Sequence, residues 1–207
     1  MPQPKIFMHE GDLPDGLDFG PAVAIDSETL GLNPHRDRLC VIQLSTGDNS
    51  AHLVQFKRNR YEAPNLHAML ENPSIEKIFH FARFDIAVFK KYLHANTKNI
   101  FCTKIASKLV RTYTRNHGLK DLAFELLGIE MSKVQQSSDW AAPQLSEEQK
   151  QYAASDVIYL HALRDKLVAM LEREERIAYA HAAFDFLPVR AELDLAGFGE
   201  MDIFSHA

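Results

Sequence analysis

One stretch of the chain, at positions 22–29, constrains the fold more than any other: Ala-Val-Ala-Ile-Asp-Ser-Glu-Thr. Its first four residues are apolar and suit a buried strand, and two acids follow at its end. Residues two apart in a strand point to the same side of the sheet, so we expect Asp26 and Glu28 to project together. Two adjacent carboxylates favour a hard divalent cation. Two solvated acids at a strand end are the alternative that this pattern leaves open.

The size and composition of the chain predict one globular domain over residues 1–207. The chain has 207 residues, of which 46% are hydrophobic and 25% are charged, which suffices for one sizeable core. The formal net charge of -5 is unlike the basic charge common in nucleic-acid-binding domains. A polyanionic ligand would therefore need a local basic patch or bound metal.

The two cysteines and the chain ends point to a reducing compartment. Cys40 and Cys102 lie far apart in apolar, strand-like segments, so we expect buried, reduced thiols and no structural disulfide. The N-terminus has no secretory signal pattern, and no apolar run is long enough to cross a membrane. We expect a cytoplasmic protein without membrane contact. No sequence feature decides the oligomeric state, and a monomer is our expectation.

The order of hydrophobic patterns and breakers predicts an α/β fold. Strands are predicted at 5–9, 22–29, 39–46, 51–55, 77–81 and 100–102, and helices at 64–71, 82–92, 104–111, 119–127 and 147–171, with more helix to about 186. Hairpin-like spacing predicts an antiparallel meander of strands 22–29, 39–46 and 51–55. A Ser- and Gln-rich loop is predicted at 132–139. The last twenty residues are expected to pack along the surface or fray. The sum is a mixed five- to six-stranded sheet flanked by helices.

Three further polar residues are candidates to form a site together with the two acids at the strand end. Asp85 falls in the first turn of a predicted helix, where acids also occur simply because they favour helix N-termini. Tyr152 and Asp156 are four residues apart and share a helix face. A lone tyrosine is more often a half-buried aromatic, but an aspartate in mid-helix between apolar residues should have a partner.

Together these residues resemble the exonuclease motifs of a known superfamily. Asp26-x-Glu28, then His80 followed by Asp85, then Tyr152-x-x-x-Asp156 is similar to the DEDD 3′-5′ exonucleases of the tyrosine subgroup. The resemblance is close to ribonuclease D and implies a ribonuclease H-like 3′-5′ exonuclease fold. It extends to Ser138-Asp139-Trp140, Pro143, the segment 145–149 and the segment 152–160, and covers roughly residues 6–171.

Two features of the resemblance concern substrate choice. Bacterial ribonuclease D usually continues into helical HRDC modules that grip nucleic acid, and we identify no such module in this chain. The resemblance therefore implies the core chemistry without those modules' contribution to affinity. Werner-type DNA exonucleases share the three motifs and a similar Ser-Ser-Asp-Trp segment, so DNA remains the alternative substrate to RNA.

The resemblance also implies a mechanism. Four carboxylates would hold two divalent ions, Mg²⁺ or Mn²⁺, about 4 Å apart, for in-line hydrolysis of a phosphodiester bond at the 3′ end. Asp26 would bridge both ions, Glu28 and Asp156 would complete the first site, and Asp85 would hold the second partly through water. Tyr152 would orient the attacking water. The products would be nucleoside 5′-monophosphates. All-oxygen ligands without a His or Cys cluster agree with this choice of metal.

Five residues are candidates for substrate binding by the same resemblance. Thr29 and Leu30 correspond to positions that hold the terminal nucleotide, with Leu30 as a wedge against the last base. Gln43 and His80 are placed to touch ribose or phosphate, and Phe84 is placed to stack on a base. Each has a structural alternative: Leu30 and Phe84 as core residues, and Gln43 and His80 as buried, hydrogen-bonded groups.

A run of basic residues could provide local positive charge for nucleic acid, although the chain as a whole is acidic. Between positions 98 and 120 the sequence contains no acid and six basic residues: Lys98, Lys104, Lys108, Arg111, Arg115 and Lys120. This run is a candidate path for a phosphate backbone, and a solvated helix face is the alternative.

The sequence thus favours a 3′-5′ exonuclease that acts on nucleic acid with a free 3′ end, RNA before DNA. A two-metal phosphatase or HD-type phosphohydrolase is disfavoured, because the chain has no His-Asp or Gly-Lys pair and no His-Glu-x-x-His. An inactive exonuclease fold that serves as a binding module is the alternative from another class. The complete set of five catalytic residue types argues against it.

Overall fold

A six-stranded mixed sheet forms the centre of the molecule. The computed structural model describes residues 3–132, 135 and 137–206, so residues 133, 134 and 136 of the predicted loop lie outside the described residues. The strands are β1 (Lys5–Glu10), β2 (Ala22–Thr29), β3 (Leu39–Ser45), β4 (Ser50–Gln55), β5 (Glu76–Phe79) and β6 (Ile100–Cys102). Their order is β1-β4-β3-β2-β5-β6. The predicted α/β fold class is confirmed.

The sheet changes from antiparallel to parallel pairing at β2. The meander is confirmed, because β3 pairs antiparallel with both β2 and β4. On the other side of β2, strands β5 and β6 add in parallel, and β1 joins β4 in parallel at the far edge. Strand β5 is shorter than predicted. It ends at Phe79, because Phe81 adopts a left-handed backbone conformation that leads directly into the next helix.

Seven α-helices surround this sheet in the described part of the chain. They are α1 (Pro64–Glu71), α2 (Ala82–Leu93), α3 (Thr103–Val110), α4 (Leu119–Leu127), α5 (Glu147–Ile158), α6 (Leu160–Arg173) and α7 (Ile177–Leu193). The predicted bounds of α1 and α4 are confirmed. Pro64 supplies the first residue of α1, and Gly128, at φ 70°, ends α4 in the left-handed conformation that glycine adopts without strain.

The single long helix predicted from 147 to 171 is wrong at its middle. Its start is confirmed, because Ser146 and Gln149 form a reciprocal capping box. The helix breaks at Tyr159, which lies at φ −96° and ψ −9°. The break lets α5 lie across β2, β3 and β4 while α6 packs against α3 and α4.

The central strands are covered on both faces. Residues 22–25 of β2 and all of β3 are buried, which is the pattern of strands with packed layers on either side. Cys40 and Cys102 are free thiols within this core, as predicted. Only the end of β2 becomes accessible, and this is where the two acids lie.

The C-terminal segment packs against the start of α2. Helix α7 runs beyond the predicted end near 186 to Leu193, and a π-helical turn follows at Asp194–Phe198. Arg83 of α2 forms a bidentate ion pair with Asp194, with nitrogen–oxygen distances of 2.5 and 2.7 Å, and donates to the Gly199 carbonyl. None of the described helices is both long and apolar enough to cross a membrane.

Candidate active site

The end of strand β2 presents two carboxylates from a rigid element. Residues 22–25 anchor the strand in the core, and Asp26 and Glu28 follow at alternate positions. Asp26 lies directly opposite Gln43 of β3 in the strand register. The Gln43 amide Nε2 donates to Asp26 Oδ2 over 2.7 Å, which fixes the orientation of the carboxylate.

Gln43 is not placed to contact a substrate in the cavity. Its side chain is fully buried, and it is absent from the described residues that line the cavity beside Asp26. The prediction of substrate contact is therefore corrected in favour of the buried, hydrogen-bonded alternative. Gln43 positions Asp26.

Helix α5 brings a third carboxylate to the same place. Ala153, Ala154 and Val157 are completely buried, and the two small alanines let the helix approach the sheet closely. Asp156 then projects toward β2. Oxygen atoms of Asp26, Glu28 and Asp156 all lie within 4.8 Å of one another, a separation that one cation can bridge.

The fourth carboxylate approaches from the first turn of α2. Asp85 is 2% exposed and accepts a hydrogen bond of 2.6 Å from Ser27 Oγ. Ser27 lies between the two acids of β2 in sequence, so its hydroxyl links the strand to α2. Asp85 lines the same cavity as the three clustered acids, but it is not one of the three whose oxygens lie within 4.8 Å.

The burial of these acids, and then their proximity, opposes their ionisation. Burial raises the pKa of Asp26 to about 7, and burial together with the charges of Asp26, Asp156 and Asp85 raises the pKa of Glu28 to about 10. Burial and then the charge of Asp26 also raise the pKa values of Asp85 and Asp156 well above their ordinary range. A divalent cation would remove this cost, so the donor set fits hard metal ions.

Tyr152 lies one turn before Asp156 on the same helix face, and both residues line the same cavity. Its ring packs against that of Trp140, with 6.0 Å between the centroids. Burial, followed by the charges of Asp156 and Glu28, raises the pKa of Tyr152 far above its usual value. The phenol therefore stays protonated at neutral pH.

An open cavity of about 600 Å³ contains all four acids. Nine of the ten residues predicted for the site line it: Asp26, Glu28, Thr29, Leu30, His80, Phe84, Asp85, Tyr152 and Asp156. Leu30 is 51% exposed, so the structure argues against the core alternative for this residue. Phe84 packs partly against the core and partly faces the cavity. Thr29 donates from Oγ1 to the Gly31 carbonyl over 2.5 Å.

His80 is a neutral imidazole at the cavity wall. Burial, and then the charge of Lys104, lowers its pKa to about 3. Thr103 Oγ1 donates to the Phe79 carbonyl, so it can accept from His80 Nδ1 over 2.9 Å. This assigns the ring proton to Nδ1. His80 Nε2 is then an acceptor; it is buried and has no hydrogen-bond partner among the described residues.

The predicted basic path is only partly placed at the cavity. Lys104 and Lys120 line it. Arg111 is fully buried and donates to Ser107, the Asn116 carbonyl and Glu125, so it is corrected from a phosphate contact to a structural residue. The remaining three bases of the run, Lys98, Lys108 and Arg115, are exposed and are not among the described lining residues.

Sequence reasoning did not assign several residues that line this site. Among them are Ser27, Phe81 and Trp140. A serine between two acids gives no signal, because strand alternation places it on the opposite face. Only the approach of α2 turns Ser27 into a partner for Asp85.

Comparison with known proteins agrees with the fold and site. A family model described as 3′-5′ exonuclease matches residues 13–172, which is most of the chain. The chain therefore belongs to the 3′-5′ exonuclease family. Ribonuclease D from Acidiphilium cryptum is 33% identical over 163 residues, which are 79% of this chain and 41% of that protein. The resemblance to ribonuclease D is thus confirmed, although the chain spans less than half the length of such relatives.

Solved structures of matching length include those of NrnC. NrnC from Brucella melitensis with bound Mg²⁺ is 53% identical, with a TM-score of 0.94, and the match covers 98% of this chain and all of that chain. NrnC from the same organism bound to pGG is 54% identical, with a TM-score of 0.95, over 99% of this chain and all of that chain.

Proposed function

We propose that this protein is a metal-dependent 3′-5′ exonuclease that shortens RNA from its 3′ end and releases nucleoside 5′-monophosphates. The convergence of three carboxylates within 4.8 Å, in a cavity that Asp85 and Tyr152 also line, carries this proposal. The similarity to ribonuclease D and to NrnC bound to pGG supports nucleic acid as the substrate class.

Asp26, Glu28, Asp156 and Asp85 would hold two divalent ions, Mg²⁺ or Mn²⁺. The donor set is all oxygen, and NrnC with bound Mg²⁺ supports this choice. When bound, such ions make water nucleophilic at neutral pH and neutralise charge on the scissile phosphate and the leaving oxygen. Gln43 and Ser27 keep two of the ligands, Asp26 and Asp85, oriented through hydrogen bonds.

Tyr152 would orient the attacking water. Because its pKa is raised, it acts through a hydrogen bond and does not remove the proton itself. Thr29 and Leu30 would hold the terminal nucleotide, with Phe84 on its base. His80, which also lines the cavity, would contact the ribose or phosphate of the same nucleotide. Lys104 and Lys120 would contact phosphates.

A time course with 5′-labelled single-stranded RNA and DNA of one sequence tests this function. In Mg²⁺ or Mn²⁺ we expect a ladder that shortens from the 3′ end, with RNA degraded faster than DNA. EDTA should stop the reaction, because the carboxylates then have no ion to hold. A faster reaction on DNA would favour the Werner-type alternative, and binding without cleavage in either metal would favour the inactive binding module.

Replacing Ser27 by Ala should weaken metal binding while the active-site residues stay unchanged. Asp85 would lose the 2.6 Å hydrogen bond that orients its carboxylate. Loss of such a supporting partner typically costs about 10- to 100-fold in metal affinity. Titration calorimetry with Mn²⁺ measures the change, and Ser155→Ala is the control, because that hydroxyl bonds only a carbonyl of its own helix. Equal affinities in the Ser27→Ala variant and the parent protein would contradict this role.

A further inference from the structure

Phe81 has an unusual backbone for its residue type. It lies between β5 and α2 at φ 73° and ψ 44°, in the left-handed region. Five other non-glycine residues with positive φ are described, and all are polar: Asn49, Asn59, His94, Asn99 and Glu175. A bulky apolar residue is strained there, and such strain concentrates at functional sites. An asparagine or glycine would make the same turn at lower cost.

The side chain of Phe81 is also unusual, because it is not used in the core. It is 44% exposed at the rim of the catalytic cavity. A second cavity of about 570 Å³ adjoins this one, and Leu32, Phe81 and Phe84 line both. Arg83 and Asp194 form part of the far wall of the second cavity. Phe81 therefore lies on the boundary between the two cavities.

A cation accompanies the exposed ring. The Lys104 ammonium lies over Phe81, with 4.3 Å between Nζ and the ring centroid, and Lys104 also lines the catalytic cavity. The ring is still substantially exposed with the lysine in place. An exposed aromatic ring beside a positive charge is the combination with which proteins bind single-stranded nucleic acid, the ring for a base and the charge for a phosphate.

We propose that Phe81 is the stacking platform for the base next to the 3′-terminal nucleotide, and that this base enters the second cavity. The assignment rests on the proposed function, in which the terminal nucleotide occupies the catalytic cavity beside Thr29 and Leu30. The scissile phosphate then lies at the carboxylates, and the next nucleotide meets the boundary formed by Phe81. Lys104 contacts this scissile phosphate, which joins the two nucleotides. Phe81 is thus a specificity-determining residue that reads the presence of a second base.

The test compares binding of short RNAs that carry either a base or an abasic ribose at the second position from the 3′ end. Binding is measured by fluorescence anisotropy with Ca²⁺ in place of Mg²⁺, so that it is recorded even if the protein hydrolyses nothing. Phe81→Ala should weaken binding of the normal RNA about tenfold or more. It should have little effect on the RNA that lacks the second base. Phe81→Trp should restore binding, because it restores an aromatic surface.

Controls separate stacking from a structural role and from failure of the proposed function. Phe124→Ala removes another exposed phenylalanine, which lies outside the catalytic cavity, and should leave binding unchanged. Thermal unfolding shows whether Phe81→Ala is folded. An equal loss on both RNAs, or a loss that depends on the terminal base instead, would overturn the assignment. A parent protein that binds RNA but cleaves none with Mg²⁺ would refute the nuclease function alone.

Discussion

Asp156→Asn is expected to abolish exonuclease activity and, without divalent metal, to make the fold more stable. The variant removes one ligand from the cluster of three carboxylates, so turnover should fall at least about a thousandfold. It also removes one of the charges that raise the pKa of Glu28. Relief of this repulsion should add about 1 kcal/mol or more to the free energy of unfolding. For a chain of this size, that corresponds to roughly 3 °C in Tm.

The burial of these carboxylates sets how stability depends on pH in EDTA. The pKa of Asp26 is raised to about 7, whereas an aspartate in the unfolded chain titrates near about 4. Between these values the unfolded chain binds fewer protons than the folded protein, so the metal-free fold loses stability as the pH rises. Asp156→Asn should weaken this dependence. Mg²⁺ should reverse the loss in the parent protein, because it binds only the folded cluster.

Thermal unfolding measures the effects on stability, for the parent protein and the variant at pH 6 and 8, in EDTA and in Mg²⁺. The RNA ladder measures the effect on activity. Asp26→Asn should behave in the same way. Asp185→Asn on α7 is the control, because its carboxylate is exposed and should change neither activity nor stability. Degradation of RNA at the parental rate by Asp156→Asn would refute the assignment of Asp156 to the metal site.

The fold could be predicted where local signals are complete. The bounds of α1 and α4 follow from a proline at the first helical position and a glycine just after the last. Strand β2 follows from an apolar run with acids at its end. The break at Tyr159 could not be predicted, because neither proline nor glycine marks it. It arises from the packing of α5 on the sheet and of α6 on α3 and α4.

Sequence predicts the site where a residue's position in its strand or helix is enough to tell which way its side chain points. Asp26 and Glu28 share a strand face, and Tyr152 and Asp156 share a helix face. The roles of Gln43, Ser27 and Arg111 depend on neighbours that are distant in sequence. Arg111 illustrates the limit, because it lies in the same basic run as Lys108. Only the three-dimensional structure shows that one is buried in a network and the other is exposed.

Tyr152→Phe is expected to lower kcat about a hundredfold or more while leaving the metal sites intact. The substitution removes only the hydroxyl, so the packing of the ring against Trp140 remains. A group that positions the reacting water typically contributes this much to the rate. Mn²⁺ affinity and KM should change little, because the four carboxylates are untouched. Tyr179→Phe, at an exposed position on α7, is the matched control and should be silent.

The pH–rate profile decides between two roles for this hydroxyl. Because the pKa of Tyr152 is raised by burial and by Asp156 and Glu28, the phenol does not ionise near neutral pH. If Tyr152 only orients water, its replacement should lower the rate equally at every pH. The pH–rate profiles of parent and variant should then be parallel. If Tyr152 were the general base, the variant would lose the limb of the profile that the tyrosine creates. Similar losses in Mn²⁺ affinity and kcat would instead show that Tyr152 acts by holding Asp156, its neighbour on the same helix face, in place.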